Sequence, residues 1–435
     1  MNSVLLIDMK NSRFQQCIFP CGRSSPLIFS IYFRFGCAVR APLYFSKVFP
    51  LRPSGVRVPN ISASVPTQTF FFTFWGFFFV FVHKHIVVCV DLLILPRNLN
   101  FELIQDKNMR VNTDFLHLIN RIEEGHLYTQ QECEFLLSFP ETSLEAAITR
   151  GVADRLSREK FGNKGLIFGQ IGVEVAPCGG RCRFCSFSDE FTTFTPHSLS
   201  DEELMQKADN FCSSGELNAL ALMVLHNTSF ERTLQVISKV RERIPASTQI
   251  MINMGDFSLS QAEELKMAGA DGSYHVWRLG EGTDTIFTKE QRFATIENIK
   301  KSGLDLYYCC EPIGPEHTPE QMAEQILKGV EYECFQHGAM RRVFVPHSSL
   351  AHLGVISELR LAQITGVVTM AAIHSPEITS IGVHEPNKLG ITSGANAIYA
   401  ETGSNPRDTK SETTGSHGLT IEACKQMYRE CGFEL

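Results

Sequence analysis

The chain has 435 residues and 43% hydrophobic content, enough to bury a large core and to make more than one domain. Its formal net charge of −7 averages two unlike parts: residues 1–108 carry 11 Lys and Arg against 4 Asp and Glu, and residues 109–435 carry 29 against 43. So acidic a body excludes nucleic acid as an expected partner, because binding phosphates needs a basic face.

Residues 1–108 hold 16 of the 33 Phe and show neither a helical nor a strand period over any useful length. Their longest apolar run, residues 70–82, is cut by His83-Lys84-His85, and Asp91 interrupts the next one. A membrane span needs about 20 apolar residues, and no secretory signal is recognisable within roughly the first 30 residues. Two readings stand: an extension upstream of the true start at Met109, which is preferred, or a poor anchor over residues 70–95. Either way the segment is a non-domain extension without candidate chemistry, membrane is not an expected partner, and the expected location is cytoplasmic. With 14 cysteines and no secretory signal, the compartment reads as reducing and the thiols as mostly unpaired.

Residues 109–164 read as a helical lead-in. Amphipathic helices are expected over residues 111–124 and 130–138, the second opened by Thr129, and Thr142 with Glu145 reads as a capping box before a helix over residues 144–160. Over residues 165–400, strands and helices alternate. Apolar strand-like runs fall at residues 166–175, 219–225, 249–254, 272–277, 305–310, 342–345, 378–383 and 395–400. Capping boxes are expected at Ser200 with Glu203, Ser260 with Glu263, and Thr318 with Gln321, the last with Pro319 at its first helical position. This alternation predicts an α/β fold of the (β/α)8 TIM-barrel type. Residues 401–435 read as a Ser-, Thr- and Gly-rich flexible loop followed by a closing helix over residues 421–431.

The loop after the first strand reads Cys178-Gly-Gly-Arg-Cys182-Arg-Phe-Cys185. Three thiolates at this spacing can wrap one corner of an iron–sulfur cubane, which normally takes four cysteines, so one iron is left open. Gly179 and Gly180 are expected to supply the tight turn, and Arg181 and Arg183 to add positive charge beside an anionic cluster. The competing reading is a non-catalytic metal-binding or redox-sensing protein, for instance with structural zinc, which wants four ligands and usually a second C-x2-C pair. No such pair occurs in the chain.

Catalytic groups of such barrels gather at the C-terminal strand ends. Those ends offer His226 and Asn227, Asn253, Arg278 and Glu281, Glu311, Glu316-His317, His347, and His384-Glu385. His226, Asn253, Glu311 and His347 are the candidates for enclosing a small substrate.

The C-x3-C-x2-C loop, with Phe184 before its last cysteine, resembles the signature of the radical S-adenosylmethionine superfamily. The segments Leu265-Lys-Met-Ala-Gly-Ala-Asp271 and Gly394-Ala-Asn-Ala-Ile-Tyr399 point to its biotin synthase-like branch, and Tyr274-His-Val-Trp-Arg278-Leu-Gly-Glu281 is similar to branch members that mature a hydrogenase cofactor. The resemblance implies a [4Fe–4S] cluster on Cys178, Cys182 and Cys185, with S-adenosylmethionine chelated at its open iron. Reductive cleavage would yield a 5′-deoxyadenosyl radical that takes hydrogen from a small substrate, with flavodoxin or ferredoxin as the electron donor. It also implies S-adenosylmethionine contacts from Phe184, Arg278, Glu281 and Glu316. Two departures stand out: the second and third strand-like runs lack cysteine, which argues against biotin synthase itself, and Leu225-His-Asn-Thr228 replaces the usual Gly-Gly-Glu.

Overall fold

The computed structural model describes residues 111–403 and 418–435 in full, together with the backbone of five short strands before residue 91. The chain divides into two compact units, Met1–Asp106 and Lys107–Leu435. In the first unit the strands Asn2–Asp8 and Arg13–Phe19 pair antiparallel, as do Phe70–Phe74, Phe77–Val82 and His85–Val90. The remaining readings made for residues 1–108, and the loop reading over residues 404–417, lie outside the described residues.

The second unit is a closed parallel barrel. Its strands are β1 (Leu166–Gly172), β2 (Leu217–Met223), β3 (Gln249–Asn253), β4 (Gly272–Tyr274), β5 (Asp305–Tyr307, continued by Cys310–Ile313), β6 (Gln336–Arg341), β7 (Ser380–His384) and β8 (Ala397–Thr402). Each pairs with its neighbours in chain order. β8 pairs with β1, and β5 closes the ring onto β6 through Tyr307 beside Gln336 and Cys310 beside Ala339. The strands are buried on both faces, as parallel strands under a helical coat must be.

Three helices lead in: α1 (Thr113–Glu123), α2 (Gln130–Ser138) and α3 (Leu144–Phe161). Between strands run α4 (Asp201–Cys212), α5 (Phe230–Arg243), α6 (Leu259–Met267), α7 (Lys289–Ser302), α8 (Pro319–Glu331), α9 (Glu358–Ala372) and the short α10 (Lys388–Ile391), and α11 (Ile421–Glu430) closes the chain. α2 packs on α8 and α9, and α3 packs on α9. Buried all round from Leu361 to Ala372, α9 therefore has no polar face. Gln363 pins it to the lead-in by donating to the carbonyls of Leu136 (3.3 Å) and Phe139 (2.9 Å).

Several expectations need correction. The sixth strand is β6 at Gln336–Arg341 rather than residues 342–345. Its Gln336, His337 and Gly338 look unlike a strand, yet all are buried, because Gln336 meets Ser380 and Tyr399 and His337 meets the Ile326 carbonyl. The fifth strand breaks at Tyr308-Cys309. α3 is capped by Ser143, not Thr142, and Glu145 instead accepts the Asn112 amide at 2.9 Å. α6 is capped by the Ser258–Gln261 box, not by Ser260. Thr288 with Gln291 forms a further box, at α7, that the sequence reading passed over.

Candidate active site

The thiol loop leaves β1 through Glu174–Val175, which pairs with His197–Ser198 and ties the two ends of the excursion together. Inside it, the Cys178 amide donates to the Phe187 carbonyl (2.7 Å) and the Asp189 amide to the Cys178 carbonyl (3.1 Å), so the loop is closed on itself. The left-handed residue of its turn is Arg181, at φ 48°, whereas Gly179 and Gly180 keep negative or extended backbone. A Cβ on Gly180 would make only ordinary contact, 3.4 Å from the Phe287 ring and 3.5 Å from Cys178 Sγ, so neither glycine is demanded by the turn or by space. Arg181 and Arg183 do not stand as free charges beside the thiols. Arg181 pairs with Asp189 at 3.2 Å, and Arg183 pairs with Asp284 at 3.0 Å, tying the loop to the turn after β4.

A cavity of about 190 Å³ opens at the C-terminal end of the strands. Cys178, Cys182, Phe184 and Cys185 form one wall, and His226, Asn253, Arg278 and Glu311 also line it. Burial pushes the Cys182 thiol up to about 11, against the pull of Arg278, and lifts the Cys185 thiol well above its ordinary value. Buried thiols of this kind hold their protons until a cation displaces them. The Phe187 amide donates to Cys185 Sγ at 3.4 Å. As the side chains stand, no group of three or more His, Cys, Asp or Glu among the described residues could hold a metal ion. The donor set nevertheless fits an iron–sulfur corner: three sulfurs on one short loop, lining one cavity.

Arg278, half-buried, pairs with the buried Glu311, Nε to Oε1 at 2.9 Å. Burial opposes its charge, but Glu311 and Glu281 outweigh that and hold it firmly protonated. Glu281 is not among the cavity-lining residues. Its carboxylate accepts the Arg278 amide (3.0 Å), lies 3.2 Å from Arg292 Nε and takes the Thr285 hydroxyl, so it braces the turn rather than facing a ligand. Arg292, on the first turn of α7, lines the cavity and also pairs with Asp256 at 3.1 Å. Burial would raise the Asp256 carboxyl, but His275, Arg292 and Thr295 hold it well below its usual range.

Two other expectations fall elsewhere. Glu316 is clasped by both terminal nitrogens of Arg342, and it is Arg342 that lines the cavity. His347 is exposed, at φ 66°, on the loop beyond β6; misplacing the sixth strand carried it into the candidate set. His226 packs edge-on against Phe287 at 4.7 Å, and burial lowers its basicity. Asn227 accepts the Gly179 amide at 3.3 Å, so the residues that replace Gly-Gly-Glu support the thiol loop.

Sequence reasoning missed Gln170, Tyr274, Arg292, Arg341, Arg342 and Tyr399 as lining residues. Tyr274 and Tyr399 lie inside apolar runs, where nothing but the inward phase of the strand marks them. For Arg292 a signal existed in the capping box at Thr288.

No family model matches the chain. The biotin synthase of Carboxydothermus hydrogenoformans is 27% identical over 180 residues, 38% of this chain and 54% of that protein, so the chain spans about half the length of the curated relative it matches. Among solved structures, the FeFe-hydrogenase maturase HydG of the same organism superposes with a TM-score of 0.62 at 15% identity, covering 74% of this chain and 78% of that one. In both sequence and fold the chain resembles the biotin synthase-like radical S-adenosylmethionine proteins. Methylornithine synthase superposes nearly as well, with a TM-score of 0.61 at 15% identity, covering 73% of this chain and 96% of that one. At such identities these structures speak for the shared (β/α)8 barrel of the branch. Among the described residues no helix is long and apolar enough to cross a membrane.

Proposed function

We propose that this chain is a radical S-adenosylmethionine enzyme acting on a small molecule, similar to biotin synthase but with a different substrate. The observation that carries the reading is that all three thiols of the C-x3-C-x2-C loop line one cavity at the catalytic end of a closed barrel, together with Arg278 and Glu311. In this reading Cys178, Cys182 and Cys185 ligate a [4Fe–4S] cluster. Bound there, the cluster and S-adenosylmethionine would supply reductive cleavage to a 5′-deoxyadenosyl radical that takes hydrogen from the substrate.

The chain's own residues bind, orient and exclude water. Phe184 lies on the thiol wall, where its ring can flank an adenine. Arg278, aligned by Glu311, can direct its remaining N–H groups at a carboxylate. Glu281 acts as a positioning residue, holding the Arg278 backbone and Arg292, and Glu316 does the same for Arg342. His226, Asn253 and Glu311 remain as groups that can meet the substrate or cofactor. The electron donor is expected to be a small flavodoxin- or ferredoxin-type protein. None of the ten cysteines of the described residues is in a disulfide, in keeping with a reducing, cytoplasmic setting.

The test is anaerobic reconstitution of the full chain with iron and sulfide, reduction with dithionite and addition of S-adenosylmethionine. 5′-Deoxyadenosine is expected from the wild type, and none above background from Cys182→Ala. A protein that takes up only zinc, or forms a cluster that never cleaves S-adenosylmethionine, would overturn the proposal.

A further inference from the structure

The arginines that line the cavity differ in where their carboxylates stand. Glu311, the partner of Arg278, lines the cavity itself, so that pair presents a balanced face. Arg341 is the last residue of β6 and Arg342 follows it; both line the cavity, but their carboxylate partners do not. Arg341 grips Glu385 with Nε (3.0 Å) and Nη2 (2.7 Å) and gives Nη1 to the Ile356 carbonyl (3.1 Å). Arg342 clasps both oxygens of Glu316 with Nη1 and Nη2 and gives Nη2 to the Gly354 carbonyl as well (3.0 Å). Gly314 leaves room for that clasp, since a Cβ there would fall 2.7 Å from Arg342 Nη1.

A guanidinium carries five N–H donors. Three are engaged on each of these side chains, which leaves one on Nη1 and one on Nη2 of Arg341, and Nε with one on Nη1 of Arg342. Glu358, 3.8 Å from Arg341 Nη2, is exposed and beyond hydrogen-bond range. Held from behind, the two forks give up little freedom on meeting a ligand, and their remaining donors are charge-assisted. Of the acidic residues, only Glu311 lines the cavity, against four arginines, among the described residues.

The pair also stands apart from the thiols. β6 is three strands round the ring from β1, whose loop carries them, whereas Arg278 and Arg292 are close enough to Cys182 to pull on its thiol. Met223, Met251 and Met340 add a soft apolar surface to the same cavity. We infer that Arg341 and Arg342 form a carboxylate subsite, which holds the acid end of a small substrate with an apolar chain on the β6 side of the cavity. This rests on the reading of the cavity as an active site and specifies the substrate class within it. Arg278 keeps its place with the cofactor.

The test is calorimetric titration of the reconstituted full chain, its cluster left oxidised and S-adenosylmethionine saturating, with hexanoate, hexanamide and hexyl phosphate. Hexanoate is expected to bind the wild type about tenfold or more tighter than hexanamide, and Arg341→Gln and Arg342→Gln should each weaken it by about tenfold, the scale of a lost charge-assisted hydrogen bond. S-adenosylmethionine affinity, measured by equilibrium dialysis, should be the same in all three proteins. The wild-type comparison needs no variant, so the inference stays exposed should a substitution unfold the chain. No hexanoate binding, hexanamide binding as tightly, or undiminished hexanoate binding in either variant would overturn the subsite. Tighter binding of hexyl phosphate than of hexanoate would make it a phosphate site and overturn the carboxylate class. Hexanoate that competes with S-adenosylmethionine would reassign the pair to the cofactor and overturn the inference. Failure of the active-site reading is separately visible, as absence of 5′-deoxyadenosine from the reduced wild type, whatever the probes do.

Discussion

His337 shows how a single polar residue can be folded into the wall of a barrel. Its Nδ1 accepts the Gly338 amide at 2.7 Å, which leaves the proton on Nε2 to donate to the Ile326 carbonyl at 2.9 Å. Burial depresses its basicity from the ordinary 6.5 to about 4, outweighing the pull of the two backbone contacts. The sign follows directly. Above pH 6.5 the ring is neutral in both states and its contribution is complete; between 6.5 and 4 the unfolded chain takes a proton that the folded chain refuses, so stability falls. Urea unfolding of the metal-free protein should show His337→Gln less stable than wild type at pH 7.5, with a shallower decline toward pH 5. Parallel declines would show that this ring is not responsible. Nothing in the sequence marks His337 as buried, because its partners are main-chain groups brought in by α8.

Elements are placed here by space as much as by hydrophobic pattern. In β6 and β7, Gly338 stands opposite Gly382, and a Cβ on Gly338 would fall 2.8 Å from the Gly382 carbonyl oxygen. Neither strand can retreat, since β6 is held by β5 and β7 by β8. Gly338→Ala is therefore expected to cost about 1–3 kcal/mol, the range of overpacking substitutions, read as a lowered urea midpoint with an unchanged slope. A neutral effect would mean that the strands can part locally. The same strand was the one misread from sequence, because Gln336-His337-Gly338 carries no apolar signal. By contrast Thr129, Ser200 and Thr318 were legible as caps, since a capping box lies entirely within four neighbouring residues.

At the scale of the whole unit, the barrel is sealed by its own C-terminus. The amide of Gly165, at the start of β1, donates to the Glu434 carbonyl at 2.8 Å, and Arg158 of α3 lies 4.0 Å over the Phe433 ring. Tyr428 of α11 is fully buried and reaches Leu166 on one strand and Asn396 beside another, so one ring bridges β1 and β8 where the sheet closes. Tyr428→Ala is expected to lose about 3–5 kcal/mol, and because strands on both sides depend on it, the loss should appear in one cooperative transition. A separate early melting of α11 alone, seen by hydrogen exchange, would contradict that.

Taken alone, the sequence was enough for the alternating α/β order, the branch resembled and the three thiols, because each is written in short-range spacing: apolar runs between caps, and ligands within one loop. Tertiary structure decided which polar groups the cavity keeps and which are spent elsewhere. Glu281 and Glu316 brace arginines, His347 lies outside, and Tyr274, Arg292 and Arg342 come in. The physical reason is that hydrophobic period reports whether a residue is buried, whereas a polar side chain's role depends on the partner it meets. Those partners lie on strands and helices distant in sequence, and only closing the ring brings them together.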